Sequence, residues 1–387
     1  MSNSVIKFHD SCCGCGVCAE RCPKGAIKLV PNRQGFYYPV VSSEVCINCG
    51  LCAKACSFNS PALKPLPDQS FYVAKNRDFH VREKSRSGGA FTAISDYVLS
   101  LDGTVYGCMM ADCKTAVHAR ATSKEERDRF LGSKYIQSTI FSVLKQIRED
   151  LAQGKNVLFS GTACQVDAVK QYCSNLDCSK LILVDIVCHG VPSPRVWGDY
   201  LDYLEKRNKK KIVSVDFRDK ARYGWAAHLE TVTFEDGGTK SGHIFRDLFY
   251  GHLVLRKSCF VCPYKSTERV SDLTLADAWG IKRVLPSFDD DKGVSLVLAN
   301  TGKGKRLFET VQKDLVIQPV EIDGFLQPPL KENWSIPKEY DSFWEYYEKH
   351  RFSAVVRKYL YNAKYYFKII KNTVVKLIRR LFPFLGL

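Results

Sequence analysis

The 387-residue sequence has no stretch of about 20 uninterrupted apolar residues, so no membrane-spanning helix is expected. Met1–Asp10 hold no apolar h-region, so no secretory signal is expected there. Without export, a disulfide framework is not the expected use of cysteine. A phosphate-binding P-loop is excluded, because Gly302-Lys303-Gly304-Lys305 lacks both the register and the Ser/Thr that would ligate magnesium. Acid is the scarcer charge: 41 Asp+Glu stand against 57 Lys+Arg, a net charge of +16. Such an excess suggests an anionic partner, yet no nucleic-acid recognition motif accompanies it. With 45% hydrophobic and 25% charged residues the composition is ordinary for a globular chain, which excludes wholesale disorder. Its length fits two to three domains at about 150 residues each.

What the chain has in abundance is cysteine, 17 in all. An odd count in a chain without an export signal points to metal or redox chemistry. Two runs share the spacing C-x2-C-x2-C-x3-C: Cys12, Cys15, Cys18, Cys22 and Cys46, Cys49, Cys52, Cys56. Three thiolates on a tight loop reach three irons of one cubane, while the fourth, opening a short helix, reaches the other cluster. The first cluster is therefore expected on Cys12, Cys15, Cys18 and Cys56, and the second on Cys46, Cys49, Cys52 and Cys22. Gly14, Gly16 and Gly50 let the loops wrap closely. Zinc sites need only paired C-x2-C. Residues 1–60 resemble a bacterial two-cluster ferredoxin. Ser57 stands where the second proline is usual, and Cys13 is an extra cysteine read as a non-ligand.

Pro61, Pro65 and Pro67 mark residues 61–69 as a stiff linker. Beyond it strands alternate with helices. Strands are expected at Phe71–Ala74, Thr104–Met110, Ala116–Thr122, Asn156–Ser160, Leu181–Val187, Lys211–Phe217, Ala227–Phe234, Val270–Ala276 and Ser295–Ala299. Helices are expected from Gly89 to Leu101, from Ser123 to Leu131 behind a capping box with Glu126, over Ser138–Gln153, after Thr162, and over Ser193–Lys209. Leu181–Val187 has the I/L/V content of a strand buried on both faces. This is a mixed α/β body with central parallel strands and some hairpin character in its second half.

Four cysteines of the body sit at strand ends or in a C-x2-C: Cys164, Cys188, Cys259 and Cys262. Carboxyl ends of strands are where α/β folds build sites. Four soft ligands suit a cubane or a zinc, and isolated buried cysteines are also common. Cys108, Cys113, Cys173 and Cys178 lack partners at suitable spacing and read as core or surface thiols.

The segments F-S-G-T-A-C-Q (159–165), V-C-H-G-V-P-S-P-R-V-W (187–197), S-C-F-V-C-P-Y (258–264) and S-D-L-T-L-A-D-A-W-G (271–280) resemble the beta-subunit family of coenzyme F-420 hydrogenase/dehydrogenase, in order and in spacing, over about residues 70–325. The resemblance implies an FAD-binding body with its own 4Fe–4S cluster on Cys164, Cys188, Cys259 and Cys262. Ala163 stands where the family often has proline. The family's glycine pair at a helix start falls on Ser87, Gly88 and Gly89, whose backbone N–H groups suit a phosphate. A second family segment falls on Gly132, Ser133, Lys134 and Tyr135, with Lys134 expected to meet phosphate or the flavin ring. The segment Phe217-Arg218-Asp219-Lys220 through Trp225 faces flavin or substrate, or is a solvated loop. His189 tunes the cluster, donates a proton, or is a plain structural histidine. Beyond His189 and Lys134 no catalytic residue is indicated.

Residues 351–387 hold nine Lys/Arg and no Asp/Glu. Lys364, Lys368, Lys371 and Arg379 recur near helical spacing among Tyr365, Phe367, Ile370, Val374 and Leu377. That composition fits an interfacial membrane helix, each basic residue contributing about 1 kcal/mol near an anionic surface; the other reading is a helix docked on the body or a partner subunit. A second basic stretch, Lys206 to Lys211, lies at a predicted helix C-terminus, where cations suit the dipole. Together the two stretches carry nearly all of the excess charge, and the rest of the chain is close to neutral.

The expected class is α+β. A two-cluster ferredoxin domain (1–60) and linker (61–69) precede a flavin-binding body (70–150 and 151–328) and a tail with a basic helix (329–387). The expected activity is that of an iron–sulfur flavoprotein oxidoreductase. It would pass electrons from a ferredoxin-like donor or partner subunit through 4Fe–4S clusters to FAD and on to a small organic acceptor, F-420 or another. The alternative is an electron-transfer adaptor without substrate chemistry. The expected location is the cytoplasm or the inner face of the cell membrane, without nucleic acid as partner.

Overall fold

The computed structural model describes residues 9–59, 63, 66 and 68–361. The three linker prolines and the tail from 362 onward lie outside the described residues. Two strands, β1 (Ile27–Pro31) and β2 (Tyr37–Val41), form an antiparallel hairpin between the two cysteine runs. The body's main sheet has nine strands: β3 (Ser70–Asn76), β4 (Thr104–Met110), β5 (Ala116–Ala121), β6 (Ser138–Thr139), β7 (Val157–Thr162), β8 (Leu181–Ile186), and, further along, β12 (Leu273–Asp277), β13 (Ser295–Ala299) and β14 (Leu315–Pro319). Between them in sequence, β9 (Ile212–Asp216), β10 (Glu230–Phe234) and β11 (Thr239–Gly242) make a separate three-stranded antiparallel sheet.

The order of the large sheet is β14-β3-β13-β12-β8-β7-β4-β5-β6. Its centre, β12-β8-β7-β4, is parallel, and β13, β3 and β14 extend it antiparallel. The period of two in the central strands decides which face each side chain serves. Leu158, Ile182 and Val184 pack with the helices Ala90–Ser100 and Gly302–Val311. Val157, Phe159, Leu181 and Leu183 pack on the opposite face with Phe141–Ala152 and Ala163–Cys173. Burial on both faces explains the apolar run Leu181–Val184 of β8. The exception, Asp185, is fully buried and pairs with Arg269 at 2.8 Å.

Helix starts follow the capping chemistry. Ser193 accepts from Val196 N ahead of Pro194, opening Pro194–Asn208. Thr162 and Gln165 form a capping box that turns β7 directly into its helix. The helix expected over Ser138–Gln153 begins three residues later, at Phe141. Ser138 instead pairs with Ala116 at the sheet edge, and Gln165 Nε2 donates to its carbonyl and hydroxyl. The N-terminal segment is packed on the body. Val17 lies in the same core as Val143 and Val169, and Arg21 Nη2 donates to Tyr172 O.

Candidate functional site

The N-terminal loops turn at Gly14 (φ +75°), Gly16 (+84°) and Gly50 (+74°), a region that side-chain-bearing residues avoid. These turns bring each run's first three cysteines round one centre. Cys12 and Cys18 have Cys15 and Cys56 as their electrostatic neighbours. Cys22, Cys46, Cys49 and Cys52 line a separate cavity of about 290 Å³. The fourth cysteine of each run thus stands with the other run's first three. Backbone N–H groups already point at sulfur: Gly14 N to Cys12 Sγ and Ala26 N to Cys22 Sγ, both 3.3 Å. Burial pushes the Cys12 thiol up to about 11, so its thiolate needs a bound cation to form.

In the body, Cys164 lies in the first turn of the helix after β7, Cys188 follows β8, Cys259 lies on the turn at Lys257–Phe260 and Cys262 two residues beyond it. Each is within electrostatic reach of the others. Val191 N donates to Cys259 Sγ at 3.2 Å, and Thr162 Oγ1 lies 3.2 Å from Cys164 Sγ. Burial pushes Cys259 up to about 11 and Cys262 to about 12. Cys164 is pulled down to about 7, first by the thiol of Cys13 beside it. Among the described residues no three His, Cys, Asp or Glu side chains converge tightly enough to hold a single metal ion. Ligands of a cubane bind different irons and stand further apart than ligands of one ion.

Two of these cysteines, Cys164 and Cys188, border a cavity of about 530 Å³ across the carboxyl ends of the parallel strands, the position where open α/β sheets bind ligands. Gly107 and Cys108 from β4, Gly161 and Thr162 from β7, Val187 and Cys188 after β8, and Ala276 and Asp277 of β12 line it. Cys13 and Cys164 also reach its wall. Of the residues expected at a cofactor, Ser87, Gly89, Gly132, Ser133, Lys134 and Tyr135 all face this cavity. Gly88 stands one residue behind the wall. Its N–H donates to Ser295 Oγ, and a Cβ there would come within 2.2 Å of Ala74 O.

One corner of the cavity is cationic. Lys134 Nζ donates to Leu131 O (2.9 Å) and Arg129 O (3.2 Å). Burial, with the Arg86 guanidinium nearby, lowers its amine to about 8. Arg86 pairs with Asp216 at 2.7 Å, but its buried Nε has no partner. Two cations held together with an unfilled donor, beside the left-handed turn at Gly132 (φ +80°), suit a phosphate-bearing group. Another part of the wall is aromatic. Trp279 stacks on Trp225 (4.9 Å, 14°) with Arg218 above it, and Arg218 pairs with Asp277 at 2.7 Å.

His189 is wedged against Trp334 (4.5 Å) and Phe249 (4.7 Å), and its Nε2 meets His252 Nε2 at 2.9 Å. Burial, with His252 and Lys265 beside it, pushes it down to about 3, so it is neutral near neutral pH. Trp279 lies inside the 271–280 segment and Arg86 directly before Ser87, but neither is singled out there as a site residue, and no local pattern surrounds Trp334. The three meet only through the tertiary fold. Cys108, expected as a core or surface thiol, lies in the cavity wall.

Cysteine loops with four-fold spacing and this wall of thiols define an iron–sulfur electron-transfer protein. Residues 11–60 match the family described as 4Fe-4S dicluster domain. Residues 154–324 match the family described as the C terminus of the coenzyme F420 hydrogenase/dehydrogenase beta subunit, so this match lies C-terminal to the dicluster match. A solved chain of the F420-reducing NiFe hydrogenase complex from Methanosarcina barkeri is similar over 76% of this chain and 94% of its own, with 16% identity and a TM-score of 0.46. No curated protein matches the chain. Among the described residues no helix is long and apolar enough to cross a membrane.

Proposed function

We propose that the protein is an oxidoreductase holding three 4Fe–4S clusters and one FAD, and that it passes electrons between a protein donor and a small organic acceptor. The observation that carries this reading is the placement of one cavity between Cys164 and Cys188 at one end and the Arg86–Lys134 corner at another. Cys164, Cys188, Cys259 and Cys262 would hold the third cluster. Arg86, Lys134 and the Gly132 turn would hold the FAD pyrophosphate, and the strand ends would seat the flavin ring against the thiol wall. Bound FAD supplies the exchange between one-electron and two-electron traffic. The wall formed by Trp279, Tyr250 and Trp334 would receive a planar acceptor, F-420 or another ring system, and shield it from water.

Electrons would enter at the second N-terminal site. Cys49 is exposed there, and Ile47, Val45 and Leu51 around it are exposed apolar residues of the kind that mark a protein contact. A ferredoxin-like carrier or a partner subunit fits that surface. Anaerobic purification tests the whole reading: about twelve irons and one FAD per chain are expected. About eight irons would remove the third cluster. Full iron without flavin would leave an electron-transfer adaptor subunit, the second reading.

A further inference from the structure

Arg256 is among the largest fully buried side chains, 1% exposed, and lies at the seam between the ferredoxin segment and the body. Its own backbone belongs to the third cysteine group: Cys259 N donates to Arg256 O at 2.9 Å. Its side chain reaches the first group. Nε donates to Cys12 O at 2.6 Å and Nη2 to Tyr37 O at 2.9 Å, with the guanidinium 4.0 Å from the Tyr38 ring. Both bonds end on neutral carbonyls. Nη1, also buried, has no partner, and it lies beside Gly14 in the Cys12–Cys15 loop, where an added Cβ would be 3.2 Å away. A buried guanidinium with an unfilled donor is costly unless a negative group completes it. Its charge acts on the thiols of Cys12, Cys164 and Cys259, members of both groups.

We propose that Arg256 is the shared counter-charge of the first N-terminal cluster and the body cluster, with Nη1 kept for sulfur on the Cys12–Cys15 side. A fixed buried cation favours the more negative, reduced state of each neighbouring cluster. Arg256 therefore raises both reduction potentials and leaves that of the more distant Cys46–Cys52 cluster alone. It is a positioning and tuning residue, and the claim rests on the three-cluster reading only for its second half.

The test is an EPR-monitored redox titration of the full-length holoprotein, comparing Arg256→Gln with Arg256→Lys. In Arg256→Gln the reduced-to-oxidised ratio of the first cluster at fixed ambient potential should fall at least tenfold, 59 mV for a one-electron couple. The body cluster should move the same way and the second N-terminal cluster should not move. Arg256→Lys, which keeps the charge, should stay within threefold of the native ratio. Unmoved potentials in an iron-replete Arg256→Gln protein, or equal shifts in both variants, would overturn the proposal. If Arg256→Gln does not load its iron, ENDOR on the native protein grown with 15N-arginine decides. Coupling of the reduced first cluster to an arginine nitrogen supports the assignment, and its absence refutes it. A body cluster missing from the native protein would refute the three-cluster reading, while the first cluster's shift would still test Arg256.

Discussion

Lys134 gives the most quantitative test of the cofactor corner. Its amine is lowered to about 8 by burial and by the neighbouring Arg86 guanidinium. In the free protein it is thus about 90% charged at pH 7 and about 10% charged at pH 9. A charge-assisted hydrogen bond to phosphate contributes about 1.5–3 kcal/mol. That interaction raises the amine's pKa in the complex by roughly one to two units. On the proposed reading FAD binding should therefore take up a proton from about pH 8 to about pH 9–10, and the apparent Kd should rise roughly five- to ninefold from pH 7 to pH 9. Lys134→Gln should bind FAD about 10- to 100-fold more weakly at pH 7 and show almost no pH slope. The assay is flavin fluorescence quenching on deflavinated protein at fixed ionic strength. A wild-type Kd independent of pH, or the same slope in the variant, would refute the placement of Lys134 at the phosphate.

Gly14→Ala should destabilise the protein by about 2–5 kcal/mol, combining left-handed strain with overpacking. The new Cβ would lie 2.6 Å from both Tyr37 O and Gln137 Nε2; anaerobic urea unfolding measures the loss. Cys259→Ala should remove about four irons and leave the N-terminal pair, read from iron content and EPR. Glu230 is 2% exposed, and burial raises its carboxyl from 4.5 to about 7. The folded state therefore keeps a proton that the unfolded state loses above about pH 4.5. The contribution of Glu230 to stability should be fully present below that pH and be lost, by on the order of 3 kcal/mol, as the pH rises through 7. Glu230→Gln should flatten that decline in denaturation midpoints measured at pH 5 and pH 8.

Local pattern carries the central sheet and not its edges. Thr104–Met110 is a strand at the bounds its β-branched and aromatic content predicts, and Pro194–Asn208 follows its Ser-Pro start. Leu315–Pro319 escapes a reading by pattern because it ends in proline and is only half buried, as an edge strand can be. The β1–β2 hairpin is hidden because each of its strands contains a proline, Pro31 and Pro39, which argues against a strand by pattern. Cysteine positions are legible because ligand spacing follows from cluster size. Lys134 is reached only through the family resemblance, and its partnership with Arg86, 48 residues away, appears only when the cavity brings the two together. Tyr250 and Trp334 are likewise ordinary aromatics until the fold brings them to the cavity wall.

The proline-rich stretch suggests a ferredoxin unit held at a distance, yet that unit shares a core with the body. Val17 packs with Val143, Arg21 reaches Tyr172, and Gly35 lies so close to Arg195 that a Cβ would approach within 2.6 Å. An interface of that closeness leaves no hinge to swing. On the proposed route, electron passage from one half to the other would then be tunnelling across a constant gap, unlike carriers that must rotate between two docking positions. The first-order rate of flavin reduction after rapid N-terminal reduction should accordingly be the same in buffer and in sucrose of several-fold higher viscosity. A rate that slows in proportion to viscosity would mean that the seam opens during turnover.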